Sequence, residues 1–217
     1  MKINADLSKR VVIDSSTLQW VDSPIAGIMR LMLERDGVEQ GRATSIVRYE
    51  PGSRFSSHVH PGGEEILVLE GVFKDEHGEY GPGTYIQNPP GSSHAPGSET
   101  GCRLFVKLGH LDPEDNRRIV VDTKQSPWHP GLVPGLRVMP LSEFGVCHTA
   151  MVRWDPGTLF NPHRHYGGEE IYVLQGVFED EHGRYPAGTW IRGPHMSAHH
   201  PFSTQGCVIL VKTGHLQ

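Results

Sequence analysis

At 217 residues and 24.1 kDa, with a formal net charge of -5, the chain is long enough for one large domain or two of roughly 100 residues. It carries no basic cluster that could follow a phosphate backbone, which excludes nucleic-acid binding. Its N-terminus, MKINADLSKRVVID, has charges where a signal peptide needs an apolar core, and no apolar run approaches the ~20 residues that span a bilayer, so a soluble cytoplasmic protein is expected.

The 26 glycines and 17 prolines exceed the usual share of about 12%, which predicts an all-β chain of short strands joined by tight turns. In chain order, KRVVID reads as a first short strand. Over Ser23–Glu34, Gly27 and the alternation after it favour strand over helix. TSIVRYE alternates, EILVLEGVF is a β-prone apolar run, KDEHGEY is a hairpin tip, TYIQN precedes a Pro/Gly loop, and CRLFVKL closes the unit. Turn signals every 8–12 residues or so suit a sandwich or barrel.

These elements then recur. FSSHVHPGGEEILVLEGVFKDEHGEYGPGTYI reappears as FNPHRHYGGEEIYVLQGVFEDEHGRYPAGTWI, so that His58 maps to His163, Arg48 to Arg153, His94 to His199 and Cys102 to Cys207 at one displacement. Upstream, KRVVID and Trp20 match RRIVVD and Trp128 at a displacement three residues longer, because ERDGVEQGR contracts to SEFGVC. The period matches a domain and not a solenoid repeat, so the chain is read as two copies, residues 1–111 and 112–217, divided at the polar DPEDN stretch. Three cysteines without a CxxC pair suit a reducing compartment and read as small buried hydrophobes.

The fourteen histidines carry the chemistry. In a strand, side chains repeat every two residues, so His58 and His60 share a face. After Pro61-Gly62-Gly63 the chain turns and offers Glu64 and Glu65, and the loop NPPGSS leads to His94. His163, His165, Glu169 and His199 restate the set. Parity selects Glu64 and Glu169 and leaves Glu65 and Glu170 as alternatives. Imidazole with carboxylate suits Zn, Fe, Mn, Ni or Cu, not Ca or Mg. A lone His-x-His on a strand is more often a solvated face; here the later histidine joins it and the set recurs although the loops around it differ. One divalent transition metal ion per copy is therefore expected. Arg48/Arg153 and Lys107/Lys212 either reach into the barrel or sit on exposed strand positions. His77/His182 belong to the hairpin tip, His110/His215 follow the last strand, and His200 has no counterpart at Ala95.

These residues resemble the two cupin motifs. The first, Gly-x5-His-x-His-x3-Glu-x6-Gly, is met by Gly52, His58, His60, Glu64 and Gly71 and again by Gly157, His163, His165, Glu169 and Gly176. The second, Gly-x5-Pro-x-Gly-x2-His, is met by Gly83, Pro89, Gly91 and His94, whereas the second copy has Gly188, Pro194 and His199 with Met196 in place of the loop glycine, a change expected to narrow its pocket. The resemblance implies a bicupin: tandem double-stranded β-helix (jelly-roll) barrels.

Within the cupins, the HPGGEEILVLEGVF, DEHGEYGPGTYI and PPGSSHAP segments resemble the cupin domain of ChrR-type anti-sigma factors. That resemblance implies zinc on three His and one Glu, a small-molecule ligand in the barrel and a sigma factor as partner. The family's helical domain with its own His-x3-Cys-x2-Cys motif is not matched here, so direct sequestration of a sigma factor is not expected. The same subfamily is also similar to oxygen-using enzymes that cleave diketones or hydroxy-ketones, which implies iron and a dioxygenase. No distinct acid–base residue stands out, beyond Glu65 or Glu170. Duplication within one chain satisfies the interface that single cupins satisfy by pairing, so a monomer and a homodimer both fit.

Overall fold

A computed structural model describes residues 1–37 and 41–216. Residues 38–40, within the ERDGVEQGR stretch that is three residues shorter in the second copy, lie outside them. Among the described residues every strand pairing is antiparallel, and the only helical element is the 3-10 turn Ser15–Thr17. Among the described residues no helix is long and apolar enough to cross a membrane.

The chain forms two compact units. The first comprises Met1–Ala5 with Leu18–Gln125, the second Asp6–Thr17 with Ser126–Gln217. In the first, the large sheet runs Lys2–Ile3, Ile28–Asp36, Arg42–Tyr49, Cys102–Leu108, Glu64–Gly71, Thr84–Asn88 and Ile119–Asp122. The smaller sheet joins Gly78–Tyr80, Phe73–Asp75, Gly97–Ser98 and Ser53–Arg54. The second unit repeats this plan, with Val11–Asp14 pairing onto Thr189–Gly193. Its counterpart by sequence, Ile119–Asp122, pairs onto Thr84–Asn88 in the first unit. The two homologous arms, KRVVID and RRIVVD, are thus exchanged reciprocally between the sequence copies.

Alternation explains the core of each unit. Along Cys102–Leu108, Cys102, Leu104 and Val106 face inward with Ile28, Val47, Tyr49, Ile66 and Phe73. The second unit repeats the set with Cys207, Ile209, Leu136, Val152, Trp154, Ile171 and Phe178. Burying such side chains stabilises by roughly 1.5–3 kcal/mol each. The opposite face of Cys102–Leu108 is also buried, because Phe105 and Lys107 are each only 4% exposed. Cys102 and Cys207 behave as small hydrophobes, with burial pushing each thiol up to about 11. Cys147 is half-buried instead, and its thiol donates to Gly214 O at 3.3 Å.

Candidate metal centres

The geometry of each histidine pair is set by a short two-stranded ladder. His58–His60 pairs with Ser92–His94, with His94 opposite His58 and Ser92 opposite His60. Period-two alternation sends His58 and His60 the same way, and the register sets His94 beside them. The chain then reverses at Gly63, whose φ is +73°. A Cβ there would lie 3.0 Å from Asn88 O and 2.6 Å from Leu111 Cδ1, so only glycine fits. That reversal starts the strand Glu64–Gly71 directly under the imidazoles.

The side chains converge. His60 Nε2 and His94 Nε2 are 3.0 Å apart. Glu64 Oε2 stands 3.4 Å from His94 Nε2 and 3.6 Å from His60 Nε2. In the second unit His165 Nε2 and His199 Nε2 are also 3.0 Å apart, with Glu169 Oε2 at 3.4 Å and 3.5 Å. His58 and His163 complete the two triads, in each of which the ligand atoms lie within 4.8 Å of one another. His58 Nδ1 donates to Ser56 O at 3.0 Å and His163 Nδ1 to Asn161 O at 2.9 Å. A carbonyl acceptor requires N–H at Nδ1, which leaves the Nε2 lone pair for the cluster.

Donors about 2.1 Å from one centre are separated by about 3.0 Å at right angles and about 3.4 Å in a tetrahedron. The observed 3.0–3.6 Å separations lie within about 0.2 Å of that range. Each His3Glu cluster could therefore hold one divalent transition metal ion. Bound there, such an ion would supply Lewis acidity and a fixed point of attachment for a ligand.

Behind each cluster stands a carboxylate that the sequence reading assigned to a solvated hairpin tip. Asp75 Oδ2 lies 3.6 Å from His94 Nδ1, while its Oδ1 accepts from His77 N at 2.8 Å and from Tyr80 OH at 3.1 Å. Asp180 repeats this behind His199 at 3.7 Å, with His182 N at 2.8 Å and Tyr185 OH at 2.7 Å. The exchanged arms supply the next contact. Arg118 donates to Tyr80 OH at 2.7 Å and lies 3.9 Å from Asp75. Arg10 donates to Tyr185 OH at 2.7 Å and lies 3.3 Å from Asp180. The identical DEHG in both copies was the available signal.

Electrostatics follow this layout. Burial works against charging His94 and His199, but the aspartate behind each and the cluster glutamate outweigh it, and both pKa values lie above the ordinary value. His60 is lowered by burial, and His165 is pushed down to about 3 by burial and the neighbouring His199 and His163. Glu169 is raised by burial to about 7. Burial also opposes ionisation of Asp180, yet hydrogen bonds from His199, Tyr185 and His182 N hold it down at about 2.

The remaining candidates lie elsewhere. Glu65 accepts from Tyr85 OH at 2.8 Å, and Glu170 is 2.7 Å from His215 Nε2, so neither alternative glutamate turns toward its cluster. Lys107 and Lys212 are buried on the strand face opposite the core and donate to Thr44 and Thr149 at 3.0 and 3.2 Å. Neither reaches the barrel interior. Arg48 and Arg153 lie over the rings of Trp20 and Trp128, at 4.8 and 4.4 Å from the ring centroids. His77 and His182 are exposed, and His200 N donates to Glu181 at 2.8 Å. Met196 adopts the left-handed conformation of Gly91, φ 62° against 79°, and is 45% exposed.

A cavity of about 320 Å³ opens beside the first cluster. Its wall includes His58, His60 and Glu64 together with Val47, Ile66 and Leu104.

The model of the ChrR Cupin-like domain matches this chain twice, over residues 8–112 and 116–217. No curated protein matches its sequence. Among solved structures, a candidate dioxygenase from Nostoc punctiforme superposes with a TM-score of 0.79 at 16% identity, over 96% of this chain and 84% of that one. A candidate glyoxylate-induced protein from Pseudomonas aeruginosa gives 0.74 at 14% identity, over 98% and 90%. An oxalate decarboxylase from Lactobacillus farciminis gives 0.65 at 13%, over 94% and 86%. Identities this low carry the fold alone. The two family matches, the repeated motifs and the paired barrels together make this chain a bicupin belonging to the ChrR Cupin-like domain family.

Proposed function

We propose that the protein is a metal-dependent sensory bicupin: each His3Glu cluster holds one divalent metal ion, zinc in the first instance, and the first barrel binds a small molecule whose arrival is read out in stress-responsive transcription. The observation that carries this reading is the pair of convergent clusters, each with imidazole nitrogens 3.0 Å apart, one of them open to a cavity. Four protein donors closing on one ion are the usual arrangement of a stable zinc site. Three free cysteines are consistent with work in the reducing cytoplasm. Within the first barrel the residues divide the labour: Asp75, held by Tyr80 and Arg118, orients His94, while Ser56 O orients His58.

A second reading, a metal-dependent dioxygenase acting on a diketone or hydroxy-ketone, draws on one observation. Three members of the cluster line the cavity wall, so a substrate there would meet the metal directly. Elemental analysis of the native protein, followed by oxygen-electrode assays with β-diketones and hydroxyacetophenones, separates the two. Zinc with no oxygen uptake is expected; iron with uptake would replace the sensory reading by the enzymatic one. Affinity capture of a sigma factor by the tagged protein tests the link to transcription, and failure to recover one removes that link.

A further inference from the structure

The interior of the first barrel holds a buried hydroxyl with no partner among the described residues. Along the strand Arg42–Tyr49, the alternate residues Ala43, Ser45, Val47 and Tyr49 line the cavity of about 320 Å³. Ser45 is 4% exposed, and its hydroxyl makes no hydrogen bond. Arg30 and Arg35 also stand in the wall, but both interact with other groups of the protein. Ile28, Ile66, Leu104, Val106 and Leu108 give the wall an aliphatic character.

Strand register places Ser45 close to the first cluster. Leu108 pairs with Glu64 on one side and with Ala43 on the other. Two residues along, Val106 pairs with Ile66 and with Ser45. Ser45 therefore stands one inward row from Glu64, about 6.6 Å along the strands, and two strand spacings of about 4.8 Å across them. The two backbones are thus no more than about 12 Å apart, which is the span of a compact ligand and the two side chains that meet it.

The second barrel is the internal control. There Val211 pairs with Ile171 and with Ala150, so Ala150 takes the position of Ser45 and the row is apolar throughout. The neighbouring interior residues keep their character, Leu136, Val152 and Ile209 answering Ile28, Val47 and Leu104. The same fold thus closes with a methyl group at this position, and a buried hydroxyl without a partner is unfavourable where a methyl is not. A hydrogen-bonding group that the fold does not use, set in the wall of a ligand-sized cavity, points to a bound molecule that supplies its partner. A serine hydroxyl both donates and accepts, so its complement is a hydroxyl or a carbonyl oxygen.

We propose that Ser45 is the specificity-determining residue of the first barrel, and that the ligand is a compact apolar molecule carrying a hydroxyl or carbonyl oxygen that hydrogen-bonds to it. This rests on the reading of the first barrel as a small-molecule site and names the chemistry of its ligand. The cavity is at the small end of ordinary ligand pockets, and His58, His60 and Glu64 belong to the same wall. With Ala150 in its place, the second barrel lacks this selectivity.

The test is calorimetric titration of the intact, metal-loaded protein with three matched pairs: phenol and benzene, benzyl alcohol and toluene, acetophenone and ethylbenzene. In at least one pair the oxygen-bearing member should bind once per chain, about three- to ten-fold more tightly than its hydrocarbon. Ser45→Ala installs the residue of the second barrel. It should erase that preference and leave hydrocarbon binding at or above the wild-type level, with metal content by elemental analysis unchanged. Should that variant fail to fold, Ser45→Cys, whose thiol is a weaker hydrogen-bonding group, should reduce the preference instead. Hydrocarbons binding as tightly as their partners, a preference that survives Ser45→Ala, or two equally selective sites per chain would each overturn the proposal and leave the first barrel a small-molecule site. Binding of none of the six probes up to about 1 mM would remove that reading and this inference together. A preference kept by a protein that holds no metal would remove the metal reading alone.

Discussion

The two barrels agree where a metal would sit and differ where a ligand would. The pairs His60/His94, buried, and His165/His199, partly buried, have the same 3.0 Å separation, and the same aspartate–tyrosine–arginine support stands behind each. Along the cavity lining of the first barrel, Arg30, Arg35, Ser45 and Tyr49 are replaced in the second copy by Val138, Glu143, Ala150 and Trp154. After duplication, the part of the barrel that shapes the fold around a cluster has been kept in both copies. The lining of the cavity beside the first cluster has diverged between the copies.

The sharpest way to break the similarity is to remove a ligand. His58→Ala or His163→Ala should each release about one of two metal equivalents by elemental analysis, and retention of both would refute the assignment. Because the cluster is assembled only in the folded state, a metal at a hundred times its Kd adds about 2.7 kcal/mol. Chelation should therefore lower the melting temperature by roughly 10 °C or more for a domain of about 100 residues. An unchanged melting curve after complete chelation would mean that neither cluster contributes to stability.

Next in size come the supporting carboxylates. Asp75→Asn and Asp180→Asn keep the shape but lose the charge that orients His94 and His199, and metal affinity in the altered barrel should fall about ten- to a hundred-fold. Arg118→Met and Arg10→Met act one step further out and should fall short of that. Competition with a chromogenic chelator measures both. If the asparagine variants bind metal as tightly as wild type, the aspartates support the hairpin alone.

How much of this was readable beforehand depends on whether local periodicity or tertiary placement decides. Strand alternation grouped His58, His60 and Glu64, and those side chains do converge, because parity within a few residues is a local property. The same rule could not find Asp75. DEHG reads as a solvated tip, and His77 is indeed exposed, but one oxygen of Asp75 caps the turn while the other faces the cluster. A one-dimensional pattern does not say which way each oxygen points. Nor does it assign the arms: KRVVID and RRIVVD are strands of the same pattern, equally suited to either sheet, and only the three-dimensional pairing sends Val11–Asp14 to Thr189–Gly193. Arg30 and Arg35 interrupt an otherwise apolar alternation and look like surface positions until the bulge at Met32/Glu34 is known.

The loop before the last histidine gives the smallest and cleanest comparison. Gly91 and Met196 share a left-handed backbone, which a side chain makes about 1–2 kcal/mol less favourable, whereas glycine loses roughly 0.5–1 kcal/mol through the greater freedom of its unfolded chain. A Cβ at Gly91 would meet nothing within 4 Å, and Met196 is largely solvated, so packing contributes little at either site. Met196→Gly should accordingly stabilise the second barrel by up to about 1 kcal/mol, and Gly91→Ala should destabilise the first by a similar amount. Urea unfolding monitored at equal metal content measures both. A destabilising Met196→Gly would mean that the methionine side chain makes a favourable contact in the loop, and the backbone account of this position would then fail.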